Sequence, residues 1–90
     1  MDVPARKDGI LSRRLGDEWL LYDPASGAVH VVNSVAAFVW DMCDGSHTLE
    51  RMEAKVREAY DVSEGATVRG DVEDILRSFE KMGLLREGVA

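Results

Sequence analysis

An α+β domain, a three-stranded antiparallel β-meander followed by three α-helices, is the fold class this sequence predicts, on three observations. Two β-favouring runs, Ile10 to Leu15 and Glu18 to Asp23, are separated only by Gly16-Asp17. A third run, Ala28 to Val32, follows the turn sequence Asp23-Pro24-Ala25-Ser26-Gly27. From Val35 onwards the apolar residues recur at helical spacing, in three blocks divided by breakers. Strand formers and helix formers are thus segregated along the chain, which is the α+β pattern.

The strands can be justified in order. Met1 to Gly9 combines Pro4 with mixed charges and no periodicity, and is expected to be a flexible tail. Gly16-Asp17, with glycine first, suits a two-residue loop closing a tight hairpin. Alternation in the second strand sends Trp19 and Leu21 to one face and Leu20 and Tyr22 to the other, so helices should cover one face and leave the second partly shielded. In the next loop proline presets φ and Gly27 accepts a left-handed conformation. Each tight turn makes sequence neighbours spatial neighbours, so the strand order is first, second, third.

Asn33 is a suitable N-cap for a first helix, Val35 to Cys43. Val35, Phe38, Val39 and Met42 load one face of it, and Ala36, Trp40 and Cys43 a second, which places this helix at the centre of the core. After Asp44-Gly45-Ser46-His47, Thr48 caps a second helix with the stripe Leu49, Met52, Val56, Ala59 and Tyr60. Asp61 to Ala66 reads as a loop, and a third helix starts between Ser63 and Thr67. Its stripe is Val68, Val72, Ile75, Leu76, Phe79 and Met82, with Asp71, Glu73 and Asp74 towards its positive end and Lys81 near its negative end. Gly83 ends it, with Leu84 folding back on Phe79 in a Schellman-type cap. The domain is expected to span residues 10–85, with 86–90 a short tail.

Composition narrows the function classes. Ninety residues allow one domain with a modest core, too small for a deep active-site cleft. The apolar fraction of 46% and charged fraction of 31% suit a soluble globular domain. No run approaches the roughly 20 apolar residues of a membrane span, and no apolar stretch near Met1 suggests a signal peptide. Cys43 is the sole cysteine, so there is no disulfide framework, and a reducing cytoplasm is the expected location. A net charge of −6 removes the uniform basic field that phosphate binding uses.

The catalytic inventory is poor. His30 and His47 lack metal-ligand spacing, so no metal is expected. Cys43 on an apolar helical face reads as a small core residue rather than a nucleophile. Gly65-Ala66-Thr67-Val68-Arg69-Gly70 has the wrong glycine spacing for a P-loop and no lysine. No catalytic residue and no cofactor are assigned.

The informative feature is the contrast between the two sheet edges. Arg13 and Arg14 on the first strand discourage pairing with another chain, whereas Ala28-Val29-His30-Val31-Val32 has no charge, proline or glycine to blunt it. Such an edge is either covered, here by the long third helix, or used by a partner strand; use is the preferred reading.

A series of residues then carries a resemblance. Leu21-Tyr22-Asp23-Pro24, Gly27, Val29-His30-Val31, Asn33, Ala36-Ala37, Trp40, Asp44-Gly45, Thr48, Asp71-Val72, Ile75-Leu76, Phe79 and Gly83-Leu84-Leu85 resemble, in order, the pattern of the PqqD family and the wider set of RiPP recognition elements. The poor catalytic inventory predicts that the domain is not an enzyme, and the resemblance implies a winged-helix-like domain that binds the leader segment of a precursor peptide. It implies that the leader adds as a strand beside the third strand, at Val29, His30, Val31 and Val32. The other wall of the cleft is expected from the third helix, at Asp71, Val72, Ile75 and Phe79. The implied partners are a precursor peptide and a peptide-modifying enzyme, often a radical SAM protein. A winged-helix DNA-binding regulator is the alternative, disfavoured by the acidic third helix. A homodimer pairing its edge strands is another.

Overall fold

Turn chemistry builds the sheet. In this computed structural model, which describes residues 3–60 and 68–86, β1 (Leu11–Leu15), β2 (Glu18–Asp23) and β3 (Ala28–Asn33) form one antiparallel sheet in the order β1-β2-β3. Gly16 closes the first hairpin with φ of 61°, left-handed backbone that glycine adopts without a Cβ clash. The second loop is held by its own polar groups. The Asp23 carboxylate accepts from the Ala25 N–H at 3.0 Å, and the Ser26 hydroxyl accepts from the Ala28 N–H at 3.2 Å.

β3 runs into α1 (Ser34–Met42) with no intervening loop, because Asn33 ends the strand and caps the helix, its side chain accepting from the Ala36 N–H at 2.8 Å. Thr48 caps α2 (Leu49–Ala59) in the same way through the Arg51 N–H. α3 (Val68–Lys81) ends in the expected Schellman motif: Gly83 has φ of 72°, its N–H reaches the Glu80 carbonyl at 3.1 Å, and the Leu84 N–H reaches that of Phe79 at 2.9 Å. Leu84 is thereby turned inward and fully buried, while Met82, expected in the core stripe, lies beyond the last helical residue and is exposed. The expected start of α3 between Ser63 and Thr67, and the loop from Asp61, lie outside the described residues.

The layers follow from α1, whose two apolar faces are both buried through Ala36, Ala37, Val39, Trp40 and Met42. Among the described residues it is the one helix with Cα atoms within 8 Å of the sheet, and it packs on both α2 and α3. Trp40 meets Phe79 of α3 edge to face at 5.3 Å between centroids. On the sheet, Leu21 and Trp19 face α1, Leu21 fully buried and Trp19 half-buried, while Tyr22 on the opposite face is exposed. In α2 only Met52 and Val56 are buried; Ala59, expected in the stripe, is exposed in the last turn. No helix among the described residues is long and apolar enough to cross a membrane.

The amino-terminal segment departs from the expected flexible tail. Arg6 N–H donates to the Cys43 carbonyl at 2.7 Å, Lys7 N–H to that of Leu84 at 2.9 Å, and Gly45 and Arg86 N–H groups to those of Pro4 and Ala5. The Arg6 guanidinium also caps the end of α1, donating to the carbonyls of Trp40 and Asp41 at 3.0 and 2.9 Å. Attachment is through backbone groups, the buried Pro4, Arg6 and the Lys7–Asp23 ion pair at 3.2 Å, so no apolar periodicity marks it.

Two expectations follow. Trp40 is 3% exposed and links α1 to α3, so Trp40→Ala should lower unfolding free energy by about 3–5 kcal/mol in urea titration. Asp23 supplies the second: burial raises its pKa, but hydrogen bonds from Lys7 at 3.2 Å, Ala25 and Ser26 outweigh burial and hold the carboxyl below its ordinary value of 3.8. A depressed folded pKa means stability that is present above the unfolded value and lost as pH falls through the folded one. Lowering the pH from neutral to below about 4 should therefore cost the wild type more stability than Asp23→Asn, compared by urea midpoints at both pH values.

Candidate functional site

The backbone direction along β3 follows from the register. Leu15 and Glu18 flank a two-residue loop and form a hydrogen-bonded pair, and antiparallel ladders alternate from there. On β2, Glu18, Leu20 and Tyr22 therefore bond towards β1, and Trp19, Leu21 and Asp23 towards β3, where they pair with Val32, His30 and Ala28. The N–H and C=O groups of Val29 and Val31 are left pointing outward. Among the described residues no strand occupies that side, and no Cα of α3 comes within 8 Å of a Cα of β3. The covering role considered for the third helix is thus not filled by its described residues.

The side chains of the eight expected site residues divide by face. Val29 and Val31, each 55% exposed, stand on the sheet face away from α1 beside Tyr22 and Leu20. His30 and Val32 point the other way; His30 is half-buried and Val32 belongs to the core. On α3, Asp71 is exposed and Ile75 is half-buried at the margin of the core. Val72 and Phe79, expected at the wall of a cleft, are instead each 1% exposed. With Val68 and Leu76 they form the stripe that seats α3 on its neighbours, and Ile75 sits one position to its side. The exposed flank of α3 is acidic and internally paired, with the Arg77 guanidinium 2.9 Å from Asp74 and 3.7 Å from Glu73, and Arg69 3.2 Å from Glu53 of α2.

The other reactive groups serve local structure. Cys43 is fully buried with its thiol donating to the Val39 carbonyl at 3.3 Å, and burial pushes its pKa up to about 12. Asp44 accepts from His47 Nδ1 at 3.0 Å and from the Ser46 hydroxyl and N–H, which hold its carboxyl well below the usual range. Among the described residues no three His, Cys, Asp or Glu side chains gather as a metal site. A groove of about 460 Å³ lies on the β1 side of α1, lined by Trp19, Phe38, Tyr60, Arg14 and Asp41. Sequence reasoning missed it, because these residues are scattered and each reads as ordinary core or surface.

A small α+β domain whose third strand has outward backbone donors and acceptors unpaired by any strand among the described residues is the class that fold and site define. The chain belongs to the PqqD family: residues 18–85 match the family described as "Coenzyme PQQ synthesis protein D (PqqD)". It is similar to a solved structure described as "TbiB1 in Complex with the TbiA(beta) Leader Peptide", with 26% identity and a TM-score of 0.76 over 96% of this chain and 98% of that one. No curated protein matches the chain in sequence.

The Cys43 environment sets an expectation. A thiol with pKa near 12 has almost no thiolate at pH 8, so iodoacetamide should leave the native protein unlabelled and alkylate it fully in urea, read by intact mass.

Proposed function

We propose that this protein captures the leader segment of a precursor peptide as a fourth strand on the free edge of β3 and presents it to a modifying enzyme, with a radical SAM protein the expected class and the cytoplasm the expected setting. The observation that carries the reading is the open, uncharged edge at Val29 and Val31, in a member of the PqqD family similar to a protein solved with a leader peptide. Backbone pairing gives affinity with little sequence demand, and alternate side chains give selectivity. The contact residues are Val29, His30, Val31 and Val32, with Asp71 and the flank of Ile75 across the cleft and Val72 and Phe79 supporting that wall from the core side. The domain acts by binding and itself carries out no chemistry, in keeping with the inert environment of Cys43.

The DNA-reading alternative is disfavoured by α3, whose Arg69 and Arg77 are already paired with carboxylates. The test is NMR titration of the labelled protein with synthetic leaders from short reading frames beside its gene. Shifts should concentrate on β3 and on α3 near Ile75; shifts confined to α2 or β1 would sink the docking geometry. Val31→Pro removes an outward donor without breaking a bond to β2, so binding should vanish while most stability remains. Ile75→Glu places a carboxylate against the bound peptide and should raise Kd at least about ten-fold. A solution mass that doubles with concentration and falls on adding leader would show copies competing for the same edge.

A further inference from the structure

His30 holds the one buried side-chain nitrogen or oxygen without a hydrogen-bond partner among the described residues, its Nε2. Buried polar atoms in native proteins are nearly always paired, so an orphan on the third strand calls for a physical account. We propose that His30 is a specificity-determining residue for the bound peptide, its Nε2 pairing with an uncharged hydroxyl or amide side chain of the docked strand. The proposal rests on the strand-addition reading.

The register gives the geometry. His30 pairs its backbone inward with Leu21, in the row Ser12–Leu21–His30 on the sheet face towards α1. An antiparallel strand added outside β3 meets His30 at a non-hydrogen-bonded position, where opposing Cα atoms are about 4.5 Å apart and the side chains are closest. The peptide residue opposite His30 therefore lies on the same inner face, next to the His30 side chain in the cross-strand row. Its neighbours two positions away face Ala28 and Val32, which are half-buried and buried and offer only apolar surface. The recognised pattern on the inner face is an apolar, a hydrogen-bonding and an apolar residue at alternate positions. A neutral imidazole nitrogen can donate or accept, so hydroxyl and amide both satisfy it. A carboxylate is disfavoured by the net charge of −6 and by Asp71 and Asp74 on the exposed flank of α3.

A phage-displayed library of random 15-residue peptides, panned against the wild type, His30→Phe and His30→Gln, tests this. Wild type should enrich Ser, Thr, Asn or Gln at one fixed position between two apolar ones. His30→Gln, whose amide reaches the place of Nε2, should keep that preference, and His30→Phe should lose it while retaining the apolar pair. For one enriched peptide, His30→Phe should raise Kd about ten-fold. Because Nε2 is unpaired in the free protein, His30→Phe should also melt no lower than the wild type, an outcome a structural role would not produce. An unchanged preference in His30→Phe, enrichment of Asp or Glu at that position, or weaker binding together with a lower melting temperature would each overturn the assignment while leaving strand addition intact. If wild type enriches no peptide, or enriched peptides fail to shift β3 resonances, strand addition itself falls and the role of His30 falls with it.

Discussion

The structure depends on α1 being buried from two sides. Among the described residues it alone of the helices brings Cα atoms within 8 Å of the sheet, and it packs on both α2 and α3. Because β3 passes into it through Asn33 without a loop, and Trp40 locks it to Phe79, the free edge and the third helix are held at a set separation by covalent continuity at one end and aromatic packing at the other. An edge left uncovered is a hazard only if it can pair at random. Here no described Cα of α3 comes within 8 Å of a Cα of β3, and the core between them maintains that separation.

That arrangement lets the stability of the domain and the availability of its edge be set by different residues. The outward backbone groups of Val29 and Val31 have no strand beside them among the described residues, whereas the inward groups of Ala28, His30 and Val32 maintain the ladder with β2. The opposite edge is handled by charge: Arg13 and Arg14 on the exposed β1 oppose pairing, and Arg14 is tied back to the Gly16 carbonyl at 3.0 Å. In the strand-addition reading a two-edged sheet is thereby left with one edge for a partner.

What could be read from the sequence was what local chemistry determines. Gly16, Asn33, Thr48 and Gly83 each specify a turn or cap within a few residues, and all four do what their residue type predicts. The strand order followed from loop length for the same reason. The amino-terminal clamp was not legible, because Ala5 and Arg6 bridge to Asp44 and Leu85 through backbone groups that every residue possesses. Nor was the division of α3: Val72, Ile75 and Phe79 share one stripe by spacing, and the one residue at its margin is distinguished only by how the helix is rotated against α1 and α2. Met82 failed for a related reason, since a periodic pattern does not say at which residue the cap turns the chain.

In the strand-addition reading, the burial of Val72 and Phe79 changes how selectivity has to arise. Were they lining the cleft, α3 would offer a broad apolar wall and a bound peptide would be sorted mainly by its hydrophobic side chains. With both in the core, the described part of that wall narrows to Ile75, bordered by carboxylates, and apolar burial alone gives weak discrimination between similar side chains. Sharp discrimination comes instead from a buried polar group that one ligand satisfies and another leaves unpaired, because the penalty for an unmade hydrogen bond exceeds the gain from an extra methylene. Among the described residues the inner face of β3 has one such group, the Nε2 of His30. In the strand-addition reading the backbone edge supplies affinity for an extended chain, and the imidazole beside it is the feature suited to choosing among such chains.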